Sequence, residues 1–103
     1  MDQEKRDDAL LALQHNSYRT YLNGLNLLVA KDVFPPDKGT VNELFESYIN
    51  SQTFADKSVL DMGCGCGNLG LLAWKRRAKR IVLADNHRPA FNCAFDNVVH
   101  ACL

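Results

Sequence analysis

The chain has 103 residues, 12 basic and 12 acidic side chains, no net formal charge, and a composition that is 47% hydrophobic and 23% charged. That balance fits at most one globular domain and excludes any whole-chain electrostatic pull toward nucleic acid or an anionic membrane. The start, Met1 to Asp8, is too charged for a signal peptide, and no apolar run approaches the roughly 20 residues of a spanning helix, so the expectation is a cytoplasmic or nuclear protein without membrane contact.

In chain order, residues 1 to about 16 turn from charged to Leu-rich (Leu10, Leu11, Leu13) and predict a first helix. Tyr18, Tyr21, Leu22, Leu25, Leu28 and Val29 recur at helical spacing and predict a second amphipathic helix that tolerates Gly24. Pro35-Pro36 ends it, because neither proline donates a helix hydrogen bond and Phe34 is pushed toward an extended conformation. Thr40-Val41-Asn42-Glu43 has the form of a capping box opening a third helix, whose apolar stripe is Val41, Leu44, Phe45, Tyr48 and Ile49. These elements make residues 1–56 an N-terminal helical segment.

Residues 57–103 predict a strand, a helix, a strand and a helix. Val59-Leu60 is the first strand, and Leu69, Leu72 and Ala73 are the inner face of the helix after it, with Leu71 and Trp74 flanking. The cations from Lys75 to Arg80 close that helix against the negative end of its dipole. Ile81-Val82-Leu83-Ala84 is apolar enough for a strand covered on both faces. Pro89 suits the first turn of the last helix, which carries Phe91, Ala94, Phe95, Val98, Val99 and Cys102 on one face and Asn92, Asp96 and His100 outside.

Between the first strand and its helix stands Asp61-Met62-Gly63-Cys64-Gly65-Cys66-Gly67. Glycines there let the backbone turn sharply and let a ligand touch peptide groups. Gly65-Cys66-Gly67-Asn68-Leu69-Gly70 also satisfies the dinucleotide fingerprint, and Asp85 follows the second strand where a ribose-binding acid would stand. Charge separates the two ligand classes. A pyrophosphate wants unopposed N–H groups at a helix start. S-adenosylmethionine presents a sulfonium and an ammonium, which a carboxylate at Asp61 attracts while repelling phosphate. The methyl donor is the better match, and a dinucleotide-binding oxidoreductase half domain is the alternative.

The stretch Val59 to Leu71 resembles the first motif of class I S-adenosylmethionine-dependent methyltransferases. Ala84-Asp85-Asn86-His87-Arg88-Pro89-Ala90, with Asn97 further on, resembles the second motif region, and Phe34-Pro35-Pro36-Asp37-Lys38-Gly39-Thr40 the segment that precedes the first strand in the small-domain group. The resemblance implies an incomplete Rossmann-like α/β methyltransferase domain. It implies S-adenosylmethionine as cofactor, bound by Asp61, Gly63, Cys64, Gly65, Gly67, Asp85 and Asn86. In that scheme the glycines line the methionine part, Asp61 anchors its polar end, Asp85 accepts from both ribose hydroxyls and Asn86 lies beside the adenine. The family's sheet is larger than two strands, and the strand that carries its catalytic motif has no counterpart here. No catalytic residue is therefore assigned. The chain is expected to be the N-terminal cofactor-binding half of a longer enzyme acting on a protein, RNA or small-molecule acceptor, or a truncated non-catalytic fragment, with self-association through unpaired sheet edges.

Other chemistry-bearing residues have structural readings. Cys64 and Cys66 lack the spacing of a zinc pair, and with Cys93 and Cys102 on a buried helix face they read as small core residues, so no metal is expected. His15, His87 and His100 are scattered surface or loop histidines. The basic run is a solvated helix end, Tyr18 and Tyr21 are core, and Thr40 is a helix cap.

Overall fold

A computed structural model describes residues 15–37 and 39–102. The helix expected over residues 1 to about 16 lies outside the described residues but for its last positions, His15 and Asn16, which are not helical.

The second expected helix is a β-hairpin. Strand β1 (Tyr18–Leu22) pairs antiparallel with β2 (Leu25–Val29), with Leu22 opposite Leu25 across a two-residue turn. The turn is Asn23-Gly24, at φ 53° and 79°. Positive φ at both central residues is what a tight hairpin turn requires, and Asn-Gly is the pair that supplies it most cheaply. Leu25, Leu27 and Val29 are buried on one face of β2 with a period of two, not the helical period. The expectation of an all-helical segment before the first parallel strand is corrected accordingly. After the hairpin the chain runs through Val33, Pro35 and Pro36, all buried, into helix α1 (Thr40–Asn50). Gly39, not Thr40, holds the N-cap position, so the expected capping box, which needs Thr40 there, does not form.

From there the expected alternation is present: β3 (Ser58–Met62), α2 (Asn68–Lys75), β4 (Arg80–Ala84) and α3 (Arg88–Cys102). Strands β3 and β4 pair in parallel, with Asp61 opposite Leu83 and Met62 opposite Ala84. A parallel pair needs a crossover, and α2 provides it. Helix α2 ends at Lys75; Arg76 to Lys79 is a turn, with Arg77 at φ 78°, and an isolated bridge joins Ala55 to Ala78.

The core lies between three layers, sheet, helices α2 and α3, and hairpin. Leu71, Leu72 and Ala73 of α2 are buried among Leu25 and Leu27 of the hairpin, Ile49 of α1 and Val59 and Ile81 of the sheet. Leu71, expected to flank the helix's inner face, is fully buried because the hairpin covers the side of α2 that faces away from the sheet. Strand β4 is not covered on both sides. Among the described residues the helices pack on one face only, and Leu60, Met62 and Val82 lie exposed on the other. The stripe of α1 is likewise uncovered except at Ile49, with Tyr48 at 61% exposure. Helix α3 is rotated from expectation. It buries Ala90, Cys93, Ala94 and Asn97, small groups that let the hairpin and the glycine loop approach, and leaves Phe91, Phe95 and Val99 exposed.

Candidate functional site

Because β3 and β4 run parallel in register, the segments leaving them emerge at the same end of the sheet. The glycine loop and Asp85 meet there, as in open α/β folds whose ligands bind beyond the carboxyl ends of the strands. The carbonyl of Ala84, the last residue of β4, accepts from the N–H groups of Gly63 (2.7 Å) and Cys64 (3.0 Å), so the loop begins pinned to the neighbouring strand. The Gly67 N–H then donates to the Cys64 carbonyl at 2.9 Å and closes a turn around Gly65 and Cys66.

Two carboxylates are built into this loop. Asp85 accepts the Gly65 N–H with one oxygen at 3.0 Å and the His87 N–H with the other at 2.9 Å. A carboxylate has about four acceptor positions, so both oxygens retain capacity for hydroxyl donors. Asp61 accepts the Gly70 N–H at 3.0 Å, satisfying one of the orphan donors in the first turn of α2. Burial raises its pKa above the ordinary carboxylate value of 3.8; the Gly70 hydrogen bond opposes this and the charge of Asp85 adds to it. The two acids therefore sit close enough to repel, at a site where a cation relieves the repulsion and an anion aggravates it.

The residues expected to hold a cofactor gather at this end of the sheet, and three of the seven line one concavity. Gly63, Asp85 and Asn86 line an open concavity of about 430 Å³ with Met62 and Ala84. Cys64 faces a neighbouring groove beside Phe91 and Phe95, and Asp61 lies between Gly63 and Gly70 on the α1 side. Gly65 has φ 57°, and a side chain placed on it would meet no atom within 4 Å. Its bareness leaves open space beside the backbone rather than room for a neighbouring element. Gly67 is the exception, because it turns inward. A Cβ there would stand 3.0 Å from Leu83 and 3.5 Å from Ala94.

The thiols belong to the framework. Burial is the main cause that pushes the Cys64 thiol up to about 11, with Asp61 and Asp85 adding to it, and burial pushes that of Cys66 up to about 12. Burial also raises Cys93. Among the described residues no group of three or more Cys, His, Asp or Glu side chains is arranged to hold a metal.

Two residues carry more than sequence reasoning gave them. Gly70, last glycine of the fingerprint, is where α2 touches the sheet, since a Cβ there would overlap Leu83. Asn97, placed only as part of a motif region, is 1% exposed and holds both Leu28 and the Cys66 carbonyl. A polar side chain between apolar positions of a helix, one turn from Cys93, was the available signal.

The glycine loop, the paired acids and the parallel strands are the setting in which the comparisons with known proteins take their meaning. The methyltransferase small domain family model matches residues 26–102. The chain belongs to that family. Its members are S-adenosylmethionine-dependent methyltransferases of Rossmann-like fold. The ribosomal protein arginine N-methyltransferase rmt3 of Schizosaccharomyces pombe is 42% identical over 53 residues, which is 48% of this chain and 10% of that protein. The chain thus spans about a tenth of the length of this curated relative. No solved structure matches it significantly.

Proposed function

We propose that this chain is the S-adenosylmethionine-binding part of a methyltransferase, with the donor seated at the carboxyl ends of β3 and β4. The observation that carries the reading is that two acids flank one glycine loop, Asp85 holding Gly65 within it and Asp61 holding Gly70 in the helix that follows. In an apolar setting two neighbouring carboxylates favour a cationic ligand, and S-adenosylmethionine brings a sulfonium and an ammonium. The same pair disfavours the pyrophosphate of a nicotinamide or flavin dinucleotide, the alternative that the fingerprint alone left open.

In this reading Asp85 binds the ribose hydroxyls with its remaining acceptor positions, Asn86 flanks the adenine, and Gly63 and Gly65 present bare backbone to the methionine part. Cys64 contributes the wall between loop and groove, and Gly67 shapes the loop from beneath. Asp61 fixes the start of α2 and supplies negative charge near the sulfonium. The bound cofactor supplies the electrophilic methyl group. Transfer then depends on a nucleophile held in line with it, and the loop described here positions the donor, not the acceptor. We therefore assign no catalytic side chain.

The acceptor is a protein, RNA or small molecule engaged by parts of the enzyme beyond these elements. The likeness to an arginine N-methyltransferase supports the donor reading and not a particular acceptor, since it covers only a small part of that protein. No helix among the described residues is long and apolar enough to cross a membrane.

Amide chemical shifts test the placement. S-adenosylhomocysteine, the demethylated cofactor, should shift the Gly63, Gly65, Asp85 and Asn86 amides of the full-length protein. Shifts confined to other elements would overturn it.

A further inference from the structure

Leu28 stands opposite Arg19 in the hairpin, three pairs beyond the Leu22–Leu25 pair that closes the turn. Hydrogen-bonded and non-hydrogen-bonded pairs alternate along an antiparallel ladder, so Leu28 falls at a non-hydrogen-bonded pair and turns its N–H and C=O away from β1. The Asn97 carboxamide meets both. Its Oδ1 accepts the Leu28 N–H at 2.7 Å, and its Nδ2 donates to the Leu28 carbonyl at 2.8 Å. One side chain thus continues the ladder at the free edge of β2. The amide's second Nδ2 hydrogen is left for the Cys66 carbonyl, also at 2.8 Å. That carbonyl belongs to the Cys66–Gly67 peptide, whose N–H is held by the Cys64 carbonyl. The peptide is gripped at both ends, and Asn97 is one of the grips.

We propose that Asn97 is a positioning residue for the cofactor loop, fixing the Cys66–Gly67 peptide and joining it to the β1–β2 hairpin outside the sheet. The inference rests on the donor-binding reading above. Only a group with two donors and one acceptor fits these three partners. Alanine frees the peptide, and aspartate turns a carboxylate toward two carbonyl oxygens.

Two experiments on the full-length protein test the inference. In the first, Asn97→Ala is compared with Leu25→Ala, a buried hairpin truncation remote from the loop, well below both melting temperatures. The expected result is that Asn97→Ala weakens S-adenosylhomocysteine binding about tenfold, the scale of one hydrogen bond, and raises KM for the donor more than it lowers kcat. Leu25→Ala should bind within about twofold of wild type. Equal losses in the two variants, or a folded Asn97→Ala with unchanged affinity, would overturn the proposal.

Should Asn97→Ala fail to fold, hydrogen exchange of the wild type decides. Where Asn97 couples loop to hairpin, linkage makes the effect reciprocal, and ligand at the loop strengthens the bond Asn97 makes to the hairpin. S-adenosylhomocysteine should then slow exchange of the Leu28 amide more than that of Thr20 in the same hairpin, and equal slowing counts against the coupling. If the wild type binds no S-adenosylhomocysteine, the donor reading falls. Asn97 is then judged on the Gly67 amide alone, which must exchange faster in Asn97→Ala or, where that variant is unfolded, in Asn97→Ser; an unchanged rate overturns its hold on the loop.

Discussion

The Asp85 carboxylate holds the backbone N–H of Gly65 at 3.0 Å, so the acid after the second parallel strand fixes the loop after the first, 20 residues earlier in the chain. The same group is the proposed ribose acceptor. Removing it costs the ligand its hydroxyl partners and the loop its anchor. Asp85→Ala should weaken S-adenosylhomocysteine binding by about 1.5 to 3 kcal/mol, the scale for hydrogen bonds to a charged group. Titration calorimetry reads this directly, and an unchanged affinity removes Asp85 from the site.

Gly65 sits at φ 57° with nothing within 4 Å of where a side chain would go. A Cβ there meets no atom of another element. The costs of valine are about 1 to 2 kcal/mol or more of left-handed backbone strain and the filling of the ligand's space. Gly65→Val should abolish binding while the far-ultraviolet circular dichroism stays close to wild type. Normal binding by the variant would make the loop purely structural.

Helix α2, strands β3 and β4 and helix α3 were legible because period, punctuation and motif agreed. The hairpin was not. Tyr18, Tyr21, Leu22, Leu25, Leu28 and Val29 match a helical stripe, although Asn23-Gly24 and the alternation of Leu25, Leu27 and Val29 mark a hairpin. Asn-Gly between two five-residue stretches rich in Tyr, Leu and Val is the stronger signal, because it specifies backbone dihedrals that a helix cannot use. The faces of α1 and α3 were misjudged for a different reason. Periodicity reports an apolar stripe, not what covers it, and Phe45, Tyr48, Phe91 and Phe95 are left exposed. Of the site, the acids and glycines were readable from spacing. The bonds of Asn97 to Leu28 and Cys66 depend on tertiary contacts across 69 and 31 residues.

Asp61 gives a prediction with opposite signs for stability and binding. Burial and the neighbouring charge of Asp85 raise its folded pKa above 3.8. Its proton-linked contribution to stability is therefore full below the unfolded value and lost as pH rises through the folded one. At neutral pH the ionised group is a burden on the unliganded fold. An asparagine side chain in its place would keep an oxygen for the Gly70 N–H without the charge. Asp61→Asn should hold or raise the melting temperature of the ligand-free protein at pH 7 and weaken S-adenosylmethionine binding. A melting temperature several degrees lower, or unchanged affinity, would contradict the electrostatic account.

Cys64 and Cys66, pushed to about 11 and 12, are almost wholly thiols at neutral pH, and the thiolate is the nucleophile. Both should resist iodoacetamide at pH 7.5 in the folded protein and react in denaturant, where ordinary thiol values near 9 return. Mass spectrometry of the alkylated peptides reads the difference. Rapid labelling of either in the native state would place it outside the core.

Residues 1–103 alone present two parallel strands with no partner beyond either edge among the described residues. Met62 at 73% exposure lies on the sheet face that the described helices leave bare, and Phe95 at 61% on an uncovered face of α3, so apolar surface is open in both places. This chain by itself should self-associate or lack fixed tertiary packing, and show no methyl transfer. Sedimentation and near-ultraviolet circular dichroism check it. A monodisperse, cooperatively unfolding monomer with turnover would show that the fold is sufficient as it stands.

The choice of ligand decides what the glycine loop holds. Calorimetric titration of the protein with S-adenosylhomocysteine and, separately, with NAD compares the two classes that the glycine loop admits. S-adenosylhomocysteine should bind saturably and one-to-one, with no comparable binding of NAD. Preferential binding of NAD would contradict the donor reading, because the acids of the loop would then be tolerating a pyrophosphate they are placed to repel.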